Sequence, residues 1–196
     1  MTLKTMKFES LKNWLMERAA ERLEYGCIML KGDVPNWKEK ISIVKPEDLY
    51  VEGDDYGYEK EPHVTVIYGL HDEDIDRGEL YDHLKNIWPI RVTINQISIF
   101  ETDEYDVVKF DVPLVKDLKA YRQFFEKFYP NTQTYDEYHP HMTIAYVKKG
   151  EGKKYVQKIE PFKVLFNKSM YSYKEDKDVF DLRDKTNPGV IDEQIS

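Results

Sequence analysis

The chain has 196 residues and a net charge of −8; 41% of its residues are hydrophobic and 14% aromatic. That length supplies a core for one domain or two intimately joined lobes, and the negative balance repels polyanions, which excludes a non-specific nucleic-acid binder. A single cysteine, Cys27, excludes an intrachain disulfide and suits a reducing compartment; with no signal-peptide core and no apolar run near the roughly 20 residues of a membrane span, the expectation is a soluble cytoplasmic protein.

Phe8, Leu11, Leu15 and Ala19 recur at helical spacing, so residues 8–23 read as an amphipathic helix. Tyr25-Gly-Cys-Ile-Met-Leu30 follows as a short apolar strand. Pro35 and Asn36 open a second helix through Ile43, although the alternation Ile41-Ser42-Ile43 also fits a strand. Residues 46–62 are acidic and turn-rich, with Glu52-Gly-Asp-Asp55 a solvated loop, and they lead through Pro62 into a β-branched segment at 63–68. Residues 72–87 read as a helix weakened by Gly78, and 91–100 and 105–112 as a strand pair. Leu118, Tyr121, Phe125 and Phe128 mark another helix, which Pro130 ends. A second β-branched segment at 141–146 precedes a lysine-rich stretch and strand-like segments at 162–173 and 177–183. Residues 1–185 read as one unit and 186–196, with Asn187-Pro-Gly189, as a flexible tail.

The two β-branched segments are near copies. His63-Val-Thr-Val-Ile-Tyr68 and His141-Met-Thr-Ile-Ala-Tyr146 share His, Thr and Tyr at positions one, three and six, in a chain with only five histidines. On a strand, residues i and i+2 share a face about 6.5–7 Å apart. Each hexad therefore presents one imidazole and one hydroxyl side by side, and two such strands facing each other make a site for a phosphodiester. Histidine either takes or gives a proton near neutral pH, and the threonine hydroxyls suit the charge that builds on non-bridging oxygens. The repeat further implies two similar lobes packed together, each contributing one His-x-Thr strand. On regular strands Tyr68 and Tyr146 point to the opposite face and belong to the core.

A pair of His-x-Thr-hydrophobic motifs at His63, Thr65, His141 and Thr143 resembles the 2H phosphoesterase superfamily. The resemblance implies an α+β, bilobal fold, with two pseudo-symmetric antiparallel β-sheet lobes, helices outside and a central cleft. It also implies metal-independent phosphodiesterase chemistry with no cofactor, both histidines as acid and base and both threonines on the phosphate. Tyr25-Gly-Cys-Ile-Met-Leu30, Pro46-Glu-Asp-Leu-Tyr50 and Val66-Ile-Tyr-Gly-Leu-His71 are similar to the phage anti-CBASS nucleases within that superfamily. This closer likeness implies a cyclic oligonucleotide substrate, Tyr25 as a base-stacking residue, and a site of action in the bacterial host cytoplasm. Neither long nucleic acid nor a membrane is expected as a partner. RNA 2′,3′-cyclic phosphodiesterases and 2′–5′ oligoadenylate phosphodiesterases share the same four residues, and a non-catalytic nucleotide sponge is the alternative of another class.

Other residues carry competing readings. His139, with His141 and His63, is a candidate metal set, but both positions two residues beyond the paired histidines hold Thr, a poor zinc ligand. His71 and His83 read as surface groups. Lys148, Lys149, Lys153, Lys154 and Lys158 either guide an anionic substrate or form a solvated face.

Overall fold

The computed structural model describes residues 25–53, 56–132 and 137–183. The expected helix over 8–23 and the tail from 186 lie outside those residues. In chain order the elements are β1 (Gly26–Asp33), α1 (Trp37–Ile41), β2 (His63–Leu70), α2 (Arg77–Lys85), β3 (Ile90–Glu101), β4 (Tyr105–Asp111), α3 (Lys116–Phe128), β5 (His141–Lys148), β6 (Gln157–Tyr173) and β7 (Asp176–Asp181), with 3-10 turns at Pro46–Asp48, Asp72–Asp74 and Gly152–Tyr155. The fold is α+β. Its strands are all antiparallel and run in the order β2-β1-β6-β3-β4-β5, with β7 beside β6.

The 17-residue β6 joins the two halves of the sheet. Its first part pairs with β3 from Gln157 to Phe166, its second with β1 from Leu165 to Ser172. Leu165 and Phe166 are paired on both sides. β2 and β5, the strands carrying the hexads, are the two ends of this path, yet the sheet bends far enough to bring them into contact. Ile28, Leu30, Val64, Val66, Ile67, Ile94, Val108, Ile144, Val164 and Phe166 fill the core between the halves and the helices.

Most expected elements form, with shifts that have local causes. The helix expected over 72–87 is broken, because Asp76 caps α2 by accepting from Gly78 N and Glu79 N, at 2.8 and 3.2 Å. Asp72 turns away to accept from Arg77 and from the Tyr171 hydroxyl, at 2.9 and 2.6 Å. Ile41 to Ile43 form no strand; α1 ends there, with Trp37 and Ile41 buried. β6 begins at Gln157, five residues before the expected start, and runs through Pro161.

Candidate active site

Each hexad is built around a β-bulge. Across β1 and β2, Met29 faces Thr65 and Ile28 faces Ile67, so Val66 is the extra residue. Across β4 and β5, Lys109 faces Thr143 and Val108 faces Ala145, so Ile144 is the extra residue. The bulge falls at the fourth position both times. It turns two consecutive side chains inward, Val66 with Ile67 and Ile144 with Ala145, all buried. The inserted residue restores the phase, so positions one, three and six come to one face. This corrects the expectation for Tyr68 and Tyr146. Both line the same cavity as Thr65, His141 and Thr143, and Tyr68 is 45% exposed.

That cavity has a volume of about 670 Å³ and lies between the hexads; its walls also include Cys27, Phe100, Tyr105, Arg122, Tyr138 and His139. His63 is not a wall residue. It lies on the same face of β2 as the wall residue Thr65, two positions along the strand.

The two histidines are held alike. His63 Nδ1 lies 3.0 Å from the Glu61 carbonyl and His141 Nδ1 lies 2.8 Å from the His139 carbonyl. A carbonyl only accepts, so each ring donates Nδ1–H, which makes Nε2 the basic nitrogen of the neutral ring. A proline precedes each histidine, and its carbonyl accepts from the neighbouring segment: Gly32 N to Pro62 O at 3.0 Å and Val112 N to Pro140 O at 3.1 Å. The repeated unit is thus x-Pro-His-x-Thr. The prolines were visible in the sequence as a signal of this support.

The bulged carbonyls are also caught twice over. The Val66 carbonyl accepts from Arg122 Nη1 at 3.2 Å, and the adjacent Thr65 carbonyl from the Tyr138 hydroxyl at 2.7 Å. The Arg122 guanidinium packs 4.4 Å over the Tyr138 ring, so the two side chains form one brace on β2. On β5, the Ile144 carbonyl accepts from Glu59 N at 3.0 Å, and Tyr146 bonds through its backbone to Tyr50 and Gly57. The turn-rich stretch at 46–62 edges β5, at Leu49 and Tyr58, while Glu52 and Gly53, from the part read as a solvated loop, are exposed.

The surroundings of the two histidines differ. Burial pushes the His141 imidazole below its ordinary 6.5; the nearby Lys109 ammonium and His63 push the same way, while the His139 carbonyl and Asp111 oppose them. Lys109 is buried, with Nζ 2.6 Å from Asp111 Oδ1 and 2.7 Å from Ser98 Oγ. It lies 4.3 Å over the Phe100 ring, which also meets the His141 ring at 4.9 Å and nearly perpendicular. Beside Thr65, burial raises the Cys27 thiol to about 12, although a hydrogen bond with Thr65 works against this. Cys27 is therefore an unreactive support for the threonine. No period or motif in the sequence marks Lys109, Arg122 or Tyr138, because each reaches the site from another element.

The remaining expected residues divide. Tyr25 stacks on His71 at 5.7 Å and meets the edge of Tyr68 at 5.9 Å. His71, read as a surface group, instead backs Tyr25 and bonds Thr132 Oγ1 through Nε2 at 2.8 Å. His83 lies elsewhere, on the Tyr129 hydroxyl at 2.6 Å. Three of the five lysines are tied to acids: Lys149 to Asp106 at 3.3 Å, Lys153 to Glu101 at 3.0 Å, and Lys154 to Asp48 and Glu151 at 2.8 and 2.6 Å. Those pairs favour a structural face over a substrate guide. Among the described residues, no group of three or more His, Cys, Asp or Glu converges as a metal site, and no helix is long and apolar enough to cross a membrane.

Comparison with known proteins agrees with this architecture. The structure of Kluyveromyces marxianus Usb1 aligns with a TM-score of 0.52 at 9% identity, over 81% of this chain and 98% of that one. The same protein with uridine monophosphate aligns at 0.50 and 9% identity, over 81% and 99%. A crystal structure described as a phosphoesterase aligns at 0.48 and 12% identity, over 82% and 96%. At 9% identity the likeness to the two Usb1 structures concerns the fold alone. No curated protein sequence matches the chain. The model of the 2′-5′ RNA ligase superfamily matches residues 34–173, a span that contains both bulged hexads. The chain belongs to that superfamily, the 2H phosphoesterases, and is an enzyme of phosphodiester chemistry.

Proposed function

We propose that the protein is a metal-independent nuclease that cleaves 3′–5′ linkages of cyclic oligonucleotide second messengers, as a phage protein countering CBASS signalling would. The observation that supports the chemistry is the pair of bulged hexads, with His141, Thr143 and Thr65 lining one cavity and His63 on the same face of β2 as Thr65. His141, biased towards the neutral form, takes the proton of a 2′-hydroxyl on its Nε2. The 2′-oxygen attacks phosphorus, and the bond to the 5′-oxygen breaks. His63 gives its Nε2 proton to that oxygen, leaving a 2′,3′-cyclic phosphate and a 5′-hydroxyl. Thr65 and Thr143 donate to the non-bridging oxygens, where charge grows in the transition state.

A small substrate is favoured by a partly enclosed cavity of about 670 Å³, within the usual range of small-molecule sites. The net charge of −8 also offers little to a long phosphate backbone. A side-by-side assay of a cyclic dinucleotide, a 2′–5′ oligoadenylate and an RNA ending in a 2′,3′-cyclic phosphate tests the reading. Opening of the cyclic dinucleotide, lost in His63→Ala and in His141→Ala, is the expected result. Processing of the RNA end alone moves the assignment to a cyclic phosphodiesterase with the same four residues. Tight binding without any reaction makes the protein a sponge.

A further inference from the structure

Four tyrosines gather on the β4–β5 side of the cavity. Tyr105 and Tyr146 line it, with ring centres 5.6 Å apart and planes at 77°. Tyr56 packs on both, at 5.2 and 5.3 Å, and Tyr50 meets Tyr56 and Tyr105 at 4.9 and 5.2 Å. All four are only partly buried, so they lie outside the core proper. Backbone bonds fix the group, with Tyr50 N donating to Tyr146 O at 3.0 Å and Tyr146 N donating to Gly57 O at 2.8 Å. On the β1–β2 side, Tyr68 stands with Tyr25 and His71. Tyr68 and Tyr146 hold the same place in the two hexads, so each His-Thr pair has its own aromatic neighbour.

We propose that Tyr105 and Tyr146 form a nucleobase-stacking wall opposite the Tyr68–Tyr25 group, so that the cavity takes an internal dinucleotide linkage with one base on each side of the phosphorus. This rests on the phosphodiesterase reading above and narrows its substrate. A chain end bearing a cyclic phosphate has a base on one side only and leaves one wall empty. Stacking suits a site that accepts different bases, since every base has a π-face. Tyr50 and Tyr56 hold the wall rings before the ligand arrives, which reduces the ordering cost of binding.

The test separates binding from cleavage. Binding is measured by calorimetry with all-deoxy d(ApA), which lacks the attacking hydroxyl, and with two analogues that are abasic on one side or the other. For d(ApA), Tyr105→Leu weakens binding by about 5- to 150-fold, the range of one lost base stack, and Tyr105→Phe leaves it nearly unchanged. One of the two abasic analogues binds wild type and Tyr105→Leu equally, because it lacks the base that meets this wall. The proposal is overturned if Tyr105→Leu binds all three ligands as wild type does, or weakens all three by the same factor. Cleavage by wild type of a 3′–5′ cyclic dinucleotide and of an RNA ending in a 2′,3′-cyclic phosphate is read separately. Base-dependent binding with cleavage of neither removes the phosphodiesterase reading and leaves the wall standing.

Discussion

Replacing Lys109 by Met should make the enzyme more sensitive to acid while sparing its rate in mild alkali. The Lys109 ammonium and the His141 ring both contact Phe100, at 4.3 and 4.9 Å from its centre, so charge and imidazole stand within about 9 Å. At about 9 Å a unit charge contributes roughly 2 kcal/mol at an effective dielectric of about 20. The sign follows from chemistry: a nearby cation opposes protonation of His141, so its removal lets protons compete for the base. Asp111, left without its partner, acts in the same direction. The assay is kcat/KM against pH from 5 to 9 for wild type, Lys109→Met and Lys109→Arg. The expected loss at pH 5.5 is about tenfold in Lys109→Met, within the ceiling set by 1.4 kcal/mol per factor of ten, with the rate at pH 8 nearly unchanged and the Arg variant close to wild type. Asp111 keeps 38% side-chain exposure, so water takes over its solvation and the variant should still fold. A folded Lys109→Met whose acid limb stays put, or moves to lower pH, refutes the electrostatic role of Lys109.

Three more outcomes follow from the geometry. Thr65→Val and Thr143→Val keep shape but delete a donor to the phosphate, so each should slow the chemical step by roughly 2.7–4 kcal/mol in single-turnover kinetics, and an unchanged rate refutes the threonine role; activity should persist in EDTA, and loss restored by zinc would make the histidines metal ligands and refute the metal-independent reading. Gly69 has φ +99, and a Cβ there would sit 2.1 Å from the Thr132 carbonyl oxygen, so Gly69→Ala should lose at least the roughly 1–3 kcal/mol of strained backbone in urea unfolding. His141 is held below 6.5, so below that pH the unfolded chain binds more protons than the folded one and stability falls as pH drops; urea midpoints between pH 7 and 5 should show a decline that His141→Gln reduces.

The hexads were legible because a phosphodiester site needs particular side chains at strand spacing, and His63, Thr65, His141 and Thr143 keep that spacing. Their sixth positions misled a period-two reading. A bulge inserts one residue without any composition of its own, and only the repeated Tyr at Tyr68 and Tyr146 hinted that the phase recovers. The start of α2 was legible in principle from Asp76 and Glu79, a capping pair three residues apart, but Asp72 and Glu73 offered an earlier start. The first residues of β6 were hidden by Pro161 and by near-continuous exposure along 157–163, where only Ile159 and Phe162 are partly buried, three residues apart rather than two. Lys109, Arg122 and Tyr138 serve the site through contacts distant in sequence, which one chain does not encode locally.

The strands that carry the hexads are also the ends of the sheet, and an open strand edge is a template on which another chain can pair and aggregate. Here the bracing of the bulges closes those edges. Leu49, Tyr50 and the stretch Gly57 to Glu59 occupy the outer side of β5, while Arg122, Tyr138 and the backbone bonds of Gly69 and His71 to Thr132 and Pro130 occupy that of β2. The extra residue in each strand also twists it away from a flat partner. Substitutions that loosen these covers should therefore lower solubility along with turnover, because the contacts that aim the histidines also keep the molecules apart.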